Sequence, residues 1–279
     1  MIVTRFAPSP TGLLHLGHAF AAIKAFEAGQ QFILRIEDLD TARCREAFVE
    51  AIFEDLLWLG IDWAEPVLRQ SERMAAYQTA LHKLDALGLT YPCFCTRKDI
   101  AAEIARAAEA PSGPDGPIYP GTCRNLTKTE RDARISSGVS HAIRLDVTKA
   151  AEWVGPLTFL EQGQGTKGET GTINVQPELF GDIILARKDL PASYHLAVVV
   201  DDVHQGVTLV TRGEDLFAAS HVQRLLQALL GLSEPSYAHH RLILDASGKK
   251  FSKRDKAITL RALRDQGWTP AQVRSNLPL

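Results

Sequence analysis

No run of 18 apolar residues occurs in the 279 positions of this chain, so no stretch has the length that a membrane-spanning helix needs. The amino terminus, MIVTRFAPSP, lacks the basic, apolar and small-residue succession of a secretion signal. A cytoplasmic protein with no membrane partner is therefore expected. Cysteine is scarce as well: four residues in a chain this long are too few for a disulfide framework. Three of them fall between positions 93 and 123 while Cys44 stands alone, a clustering that suits a metal before a disulfide. Strong charge of either sign is missing too. A formal net charge of −2 and a pI of about 6.5 exclude a chain that coats nucleic acid or anionic membrane by bulk electrostatics. There is no internal repeat, no low-complexity tract beyond residues 101–117, and no coiled-coil heptad or large apolar stripe, so a monomer is expected.

What remains is the composition of an ordinary globular chain, 45% apolar and 23% charged, long enough to bury one large or two modest cores without staples. Its charge is unevenly placed. From Arg241 to Leu279 nine Lys/Arg face three Asp/Glu, a local +6 that leaves −8 for the first 240 residues. That tail is the candidate phosphate-facing surface, although charge alone would equally suit a solvated terminal helix.

Hydrophobic periodicity predicts a strand at 2–6, a loop through APSPTG, a helix carrying Leu16, Ala19, Phe20, Ile23 and Phe26, and a buried strand at 31–37. Strand, helix and strand within about forty residues form the βαβ unit that opens a parallel sheet. Amphipathic helices are expected from Thr41 to Gly60 and from Ser71 to Gly88. Between Tyr91 and Ala186 the character changes to paired cysteines, an Ala-rich helix (Ile100 to Ala110), the loop PSGPDGP and short strand-like runs such as HAIRLDV, which together read as an α+β insertion. HLAVVVDD and VTLVTRGEDL then read as further buried parallel strands with functional groups at their carboxyl ends, followed by a helix from Asp215 to Leu230.

Three segments could carry chemistry. Arg5 and the PSPTG turn lead into His15-Leu16-Gly17-His18 at a helix start, where unpaired N–H groups and the positive end of the macrodipole suit phosphate. Histidines three apart share a helical face, and Gly17 admits a nucleotide close to the backbone. The loop Gly248-Lys249-Lys250-Phe251-Ser252-Lys253-Arg254 offers point charges on mobile stems, suited to a leaving pyrophosphate. Cys93-Phe94-Cys95 with Cys123 downstream suits zinc, whose fourth ligand can be nitrogen, oxygen or water.

RFAPSPTGLLHLGH resembles the first signature of the class I aminoacyl-tRNA synthetases in its glutamate/glutamine version, and KFSKR (Lys250 to Arg254) resembles the second. RIEDLD at 35–40, YHLAVVVDD at 194–202 and VTRGEDL at 210–216 match the same family in the expected order. The resemblance covers essentially the whole chain. It implies an α/β fold, with a Rossmann-type parallel sheet interrupted by an α+β zinc-bearing acceptor-binding insertion. The expected divisions are 1–90 and 187–245 for the catalytic halves, 91–186 for the insertion and 246–279 for the lysine loop with a short helical tail.

The resemblance also implies roles. His15, His18 and Lys253 are the expected catalytic residues, and His15, Gly17, His18, Lys250 and Lys253 the expected ATP site, with Mg²⁺ accompanying ATP. The glutamate site it implies comprises Arg5, Phe6, Ala7, Pro8, Ser9, Glu37, Tyr194 and Arg212: the arginines for carboxylate, Glu37 for the ammonium and Tyr194 as wall and hydroxyl donor. Short members of the family suggest Tyr119 as the fourth ligand beside Cys93, Cys95 and Cys123, with His141 the substitute; the stretch from Cys95 to Tyr119 is longer than their compact pattern. Only 26 residues follow Lys253, where ordinary glutamyl-tRNA synthetases continue into a large anticodon-binding region. The expectation is therefore the short branch, which activates L-glutamate to glutamyl-adenylate and transfers it to the queuosine base at the wobble position of tRNA(Asp). The alternative is a truncated synthetase that charges the tRNA 3′ end.

Overall fold

The computed structural model describes residues 1–105, 112–114, 116–243 and 258–279. Val3–Phe6 is buried at every position, as a strand covered on both faces must be, and forms β1. The prolines that follow end the strand, and α1 (Leu16–Ala28) starts at the His15 N-cap with Ala19, Phe20, Ala22, Ile23 and Ala25 turned inward. β2 (Gln31–Ile36) returns parallel to β1, with Val3 opposite Gln31 and Phe6 opposite Leu34. α2 (Glu46–Trp58) begins later than Thr41, and β3 (Ala64–Arg69) completes a parallel group in the order β1-β2-β3. α3 (Met74–Ala86) leads away from it.

There follow β4 (Thr90–Cys93), α4 (Arg97–Ile104), the two-residue strands β5 (Ser112–Gly113) and β6 (Gly116–Pro117), α5 (Lys128–Ser136), β7 (Ala142–Leu145) and α6 (Val147–Val154). Next are β8 (Thr158–Glu161), β9 (Gly171–Asn174), β10 (Ile184–Ala186), α7 (Tyr194–His204), β11 (Leu209–Gly213), α8 (Ala219–Leu230), β12 (Ser236–His240), α9 (Leu260–Asp265) and α10 (Pro270–Ser275). Residues 91–186 contribute to three separate sheets, of which β5 with β6 is an antiparallel pair of its own. β7 pairs antiparallel with β4 and β10, whereas β8 lies parallel to β12 through Tyr237 and Glu161. β11 runs parallel to β12, and Thr208 N donates to Val3 O at 3.0 Å, so the two parallel groups abut along β1 and β11.

One expected strand is a helix. HLAVVVDD lies within α7, whose Leu196, Ala197, Val198 and Val199 are all buried. The run packs between Leu84 of α3 and Leu225 and Leu226 of α8, so four consecutive apolar residues are buried and the amphipathic period that marks a helix is missing over that stretch.

The described end of the basic tail, residues 258–279, is packed rather than solvated. Leu260, Leu263, Val273 and Leu277 join Phe20, Ile23, Ile52 and Leu56 in one core, and Leu260 N donates to Leu14 O at 2.9 Å. Arg261 and Arg264 pair with Glu54, and Arg274 pairs with Glu27.

The same junction buries Asp55, with Arg264 3.8 Å away, and burial pushes its carboxyl up to about 6 against the pull of Arg264 and Arg261. A folded carboxyl that keeps its proton to about pH 6, where its ordinary value is 3.8, disfavours folding progressively as pH rises through that window, by on the order of 3 kcal/mol. Denaturant titrations are expected to show wild type losing stability against Asp55→Asn between pH 4 and 6.5. Parallel curves would remove the buried proton from the account.

Candidate active site and metal centre

The turn after β1 is fastened to its neighbours by backbone bonds. Glu37 N donates to Pro8 O at 3.0 Å and Arg45 N to Pro10 O at 3.1 Å. At the head of α1, His15 Nδ1 accepts from Gly17 N at 3.1 Å and His18 Nδ1 accepts from His15 N at 3.2 Å, with ring centroids 3.8 Å apart. Two accepting Nδ1 atoms put the proton of each neutral imidazole on Nε2. The positive end of α1 thus carries two N–H donors suited to an anion.

Beside it lies a buried charge network that joins sheet to helix. Asp202 Oδ1 receives Arg5 Nε at 3.1 Å and Arg35 Nη1 at 2.8 Å, while Arg35 Nη2 reaches Glu37 at 3.4 Å. Arg5 Nη1 also donates to Thr211 O at 3.2 Å. Burial opposes the charge on Arg35, but Asp202, Glu37 and Asp201 outweigh it and raise its pKa. For Glu37 burial prevails over Arg35 and Arg5 and raises the carboxyl; for Asp202 burial loses to the two arginines and the carboxyl is held low. Consecutive residues on a helix diverge by about 100°, so Asp201 turns the other way. It accepts from Tyr77 Oη at 2.7 Å, Gln70 Nε2 at 2.9 Å and Arg73 Nε at 3.1 Å, pinning α7 to α3 and the turn before it.

Arg212, at the end of β11, is held by three neutral groups: His239 Nε2 at 3.0 Å, Gln223 Oε1 at 2.8 Å and Ser220 Oγ at 2.7 Å. Among the described residues it makes no ion pair. All eight residues expected at a glutamate site, Arg5, Phe6, Ala7, Pro8, Ser9, Glu37, Tyr194 and Arg212, line one cleft of about 620 Å³, and His18 lines it with them. His15 and Gly17 sit at the head of α1 but do not line it. Lys250 and Lys253 lie outside the described residues.

The four expected metal ligands also converge. The Sγ atoms of Cys93, Cys95 and Cys123 lie within 4.8 Å of one another, and Tyr119 Oη is 3.5 Å from both Cys93 and Cys95 sulfurs. β4 delivers the first pair; Gly121, at φ +84°, turns the next loop so that Cys123 N donates to Tyr119 Oη at 2.8 Å. Burial pushes the Cys95 thiol up to about 11. His141 stays apart: its Nδ1 meets Val139 O at 3.2 Å and its ring packs on Phe94. Three sulfurs and one phenol oxygen form a donor set that fits a tetrahedral zinc ion.

A family model described as "tRNA synthetases class I (E and Q), catalytic domain" matches residues 1–279. The chain belongs to that family. It is 47% identical to a glutamyl-Q tRNA(Asp) synthetase of Rhodobacter capsulatus, over 98% of each chain. A glutamyl-Q tRNA(Asp) synthetase of Nocardia farcinica is 41% identical over 96% of this chain and 81% of its own length. Among solved structures, a glutamate tRNA ligase from Elizabethkingia meningosepticum in complex with its amino acid superposes with a TM-score of 0.77 at 27% identity. That match covers 96% of this chain, which spans only 58% of the ligase.

For a class I synthetase of this branch, the sequence signatures pass over several residues that shape the cleft. Arg35 and Asp202 stand inside quoted motifs, yet nothing in those motifs says that they meet 167 positions apart. Ser220, Gln223, His239 and Glu161 lie outside every motif. The strand order that assembles them is absent from any local pattern.

Proposed function

We propose that this chain activates L-glutamate with MgATP and transfers the glutamyl group to the queuosine of tRNA(Asp). The observation that carries the reading is the cleft itself: two arginines and one carboxylate within reach of a histidine-bearing helix start match an amino acid with two carboxylates and an ammonium. The reacting α-carboxylate has to face the ATP α-phosphorus near His15 and His18, so Arg5 and Arg212 take the side-chain carboxylate and Glu37 the ammonium. An oxygen of the α-carboxylate attacks the α-phosphorus and pyrophosphate leaves. A hydroxyl of the acceptor then attacks the mixed anhydride, its proton is lost and AMP departs. The residues act by positioning and by donating to developing phosphate charge, with no covalent enzyme intermediate. His15 and His18 donate from Nε2, while Lys250 and Lys253 of the KFSKR run serve the leaving pyrophosphate.

The acceptor is supported by the relatives aligned over nearly the whole chain, which carry the glutamyl-Q tRNA(Asp) synthetase name. Acylation of tRNA(Asp) with and without queuosine, followed by mapping of the labelled nucleotide, tests it. Label on the modified base that survives removal of the terminal adenosine is expected; label on that adenosine alone would make the enzyme a 3′-end synthetase. We take the enzyme to act as a cytoplasmic monomer.

In the same reading Cys93, Cys95, Cys123 and Tyr119 hold a structural Zn²⁺ that ties β4 to the 119–123 loop. Metal analysis is expected to find one zinc per chain, and Cys95→Ser to lose it together with several degrees of thermal stability. A fully folded, active preparation without metal would reject the assignment.

A further inference from the structure

Arg212 differs from the other cleft arginine in how it is held. Arg5 contacts a carboxylate directly, whereas Arg212 hydrogen-bonds only neutral acceptors among the described residues, and behind one of them, the His239 imidazole, stands the Glu161 carboxylate. The guanidinium has no lone pair, so His239 Nε2 must accept from Arg212 Nε–H and the imidazole proton must sit on Nδ1. That proton is donated to Glu161 Oε2 at 2.6 Å. The other carboxylate oxygen, Oε1, accepts from His239 N and from Gly163 N, each at 2.8 Å. Both side chains are fully buried.

Every hydrogen bond on the Glu161 carboxylate among the described residues is therefore a donated N–H, the arrangement that suits an ionised, acceptor-only group. Burial would raise its pKa, but the bonds from His239 and Gly163 prevail and lower it. Burial holds His239 below its usual value in spite of Glu161, so the ring stays neutral. The close approach is built into the backbone: a Cβ on Gly163 would stand 2.1 Å from His239 O.

We propose that Glu161 and His239 are positioning residues which fix one imidazole tautomer and, through it, aim an uncompensated Arg212 charge at the substrate's side-chain carboxylate. The inference rests on the reading of this cleft as a glutamate site. A carboxylate placed directly on Arg212 would compete with the substrate for the same cation. An interposed neutral imidazole anchors the guanidinium without neutralising it, and leaves one N–H on each terminal nitrogen beyond the bonds to Gln223 and Ser220. Such a site favours a carboxylate over its amide, since the amide offers no charge to the arginine.

Glutamate-dependent pyrophosphate exchange with full-length variants tests the chain. In Glu161→Gln the two backbone N–H groups keep the amide oxygen, the amide NH₂ turns to His239 Nδ1, and the ring proton moves to Nε2 against Arg212 Nε–H. ¹⁵N spectra of histidine-labelled protein are expected to show that exchange of protonated nitrogen. KM for glutamate is expected to rise about tenfold or more, with kcat and KM for ATP within about twofold. His239→Leu should behave alike, and His239→Gln, whose Oε1 can stand where Nε2 stood, should recover most of the loss.

An unchanged glutamate KM in folded Glu161→Gln, or an equal rise in both KM values with no recovery in His239→Gln, would overturn the proposal in favour of a packing role. If His239→Leu does not fold, Glu161→Gln and its spectrum still decide. Absence of glutamate-dependent exchange in wild type would instead bring down the reading of the cleft, and the proposal with it.

Discussion

Arg212→Gln is expected to lower kcat/KM for glutamate in pyrophosphate exchange by on the order of 10³-fold while leaving KM for ATP within about twofold. The substitution keeps a neutral hydrogen-bonding amide whose carbon lies two bonds short of the guanidinium carbon, so both the charge and its reach are lost at the end of β11. Three bonds now fix that charge, to His239, Gln223 and Ser220. Losing the cation leaves a substrate carboxylate desolvated beside Tyr237, whose ring lies 5.4 Å from the Arg212 guanidinium carbon. Preference for glutamate over glutamine should narrow in parallel. A loss smaller than about threefold would remove Arg212 from substrate binding.

Asp202→Asn has the second largest expected effect, and it falls on stability. One oxygen of this carboxylate serves both Arg5 and Arg35, whose side chains are 6% and 0% exposed. Without it two guanidinium groups are left in the interior with only Glu37 and the more distant Asp201 to offset their charge, a loss of about 3–5 kcal/mol. For a chain of this size that corresponds to roughly 10 °C in Tm, read by calorimetry at neutral pH. The folded pKa of Asp202 lies below its ordinary 3.8, so the stabilisation is present above that pH and is lost as acid protonates the group. A melting point within about 2 °C of wild type would show the network to be dispensable.

Much of this could be read from the sequence where the physics is local. β1, α1 and β2 follow from short periods and a proline-rich break, and the three cysteines that gather around Tyr119 stood out by spacing. α7 reads as a strand because four consecutive buried apolar residues, Leu196 to Val199, carry no period that separates helix from strand. Glu161 and His239 escape the sequence for a different reason. They are 78 positions apart, each unremarkable alone, and only the parallel pairing of β8 with β12 makes them neighbours. Asp202 is visible as a residue but not as a partner, because the strand expected for its segment does not bring it to Arg5 and Arg35.

The backbone bond from Leu260 to Leu14, with Thr259 bridged to His15, has a consequence for synthesis of the chain. The histidine signature is made among the first twenty residues, yet the surface it packs against comes some 240 residues later. Phe20, Ile23 and Ile52 stay without their full cover until Leu260, Leu263, Val273 and Leu277 arrive. A nascent chain on the ribosome therefore carries the signature loop unfinished until some 240 further residues have been made, exposed to chaperones and proteases. Pairings this distant in sequence also slow the last step of folding. Activity should appear only after the Leu260–Asp265 and Pro270–Ser275 helices have emerged and packed.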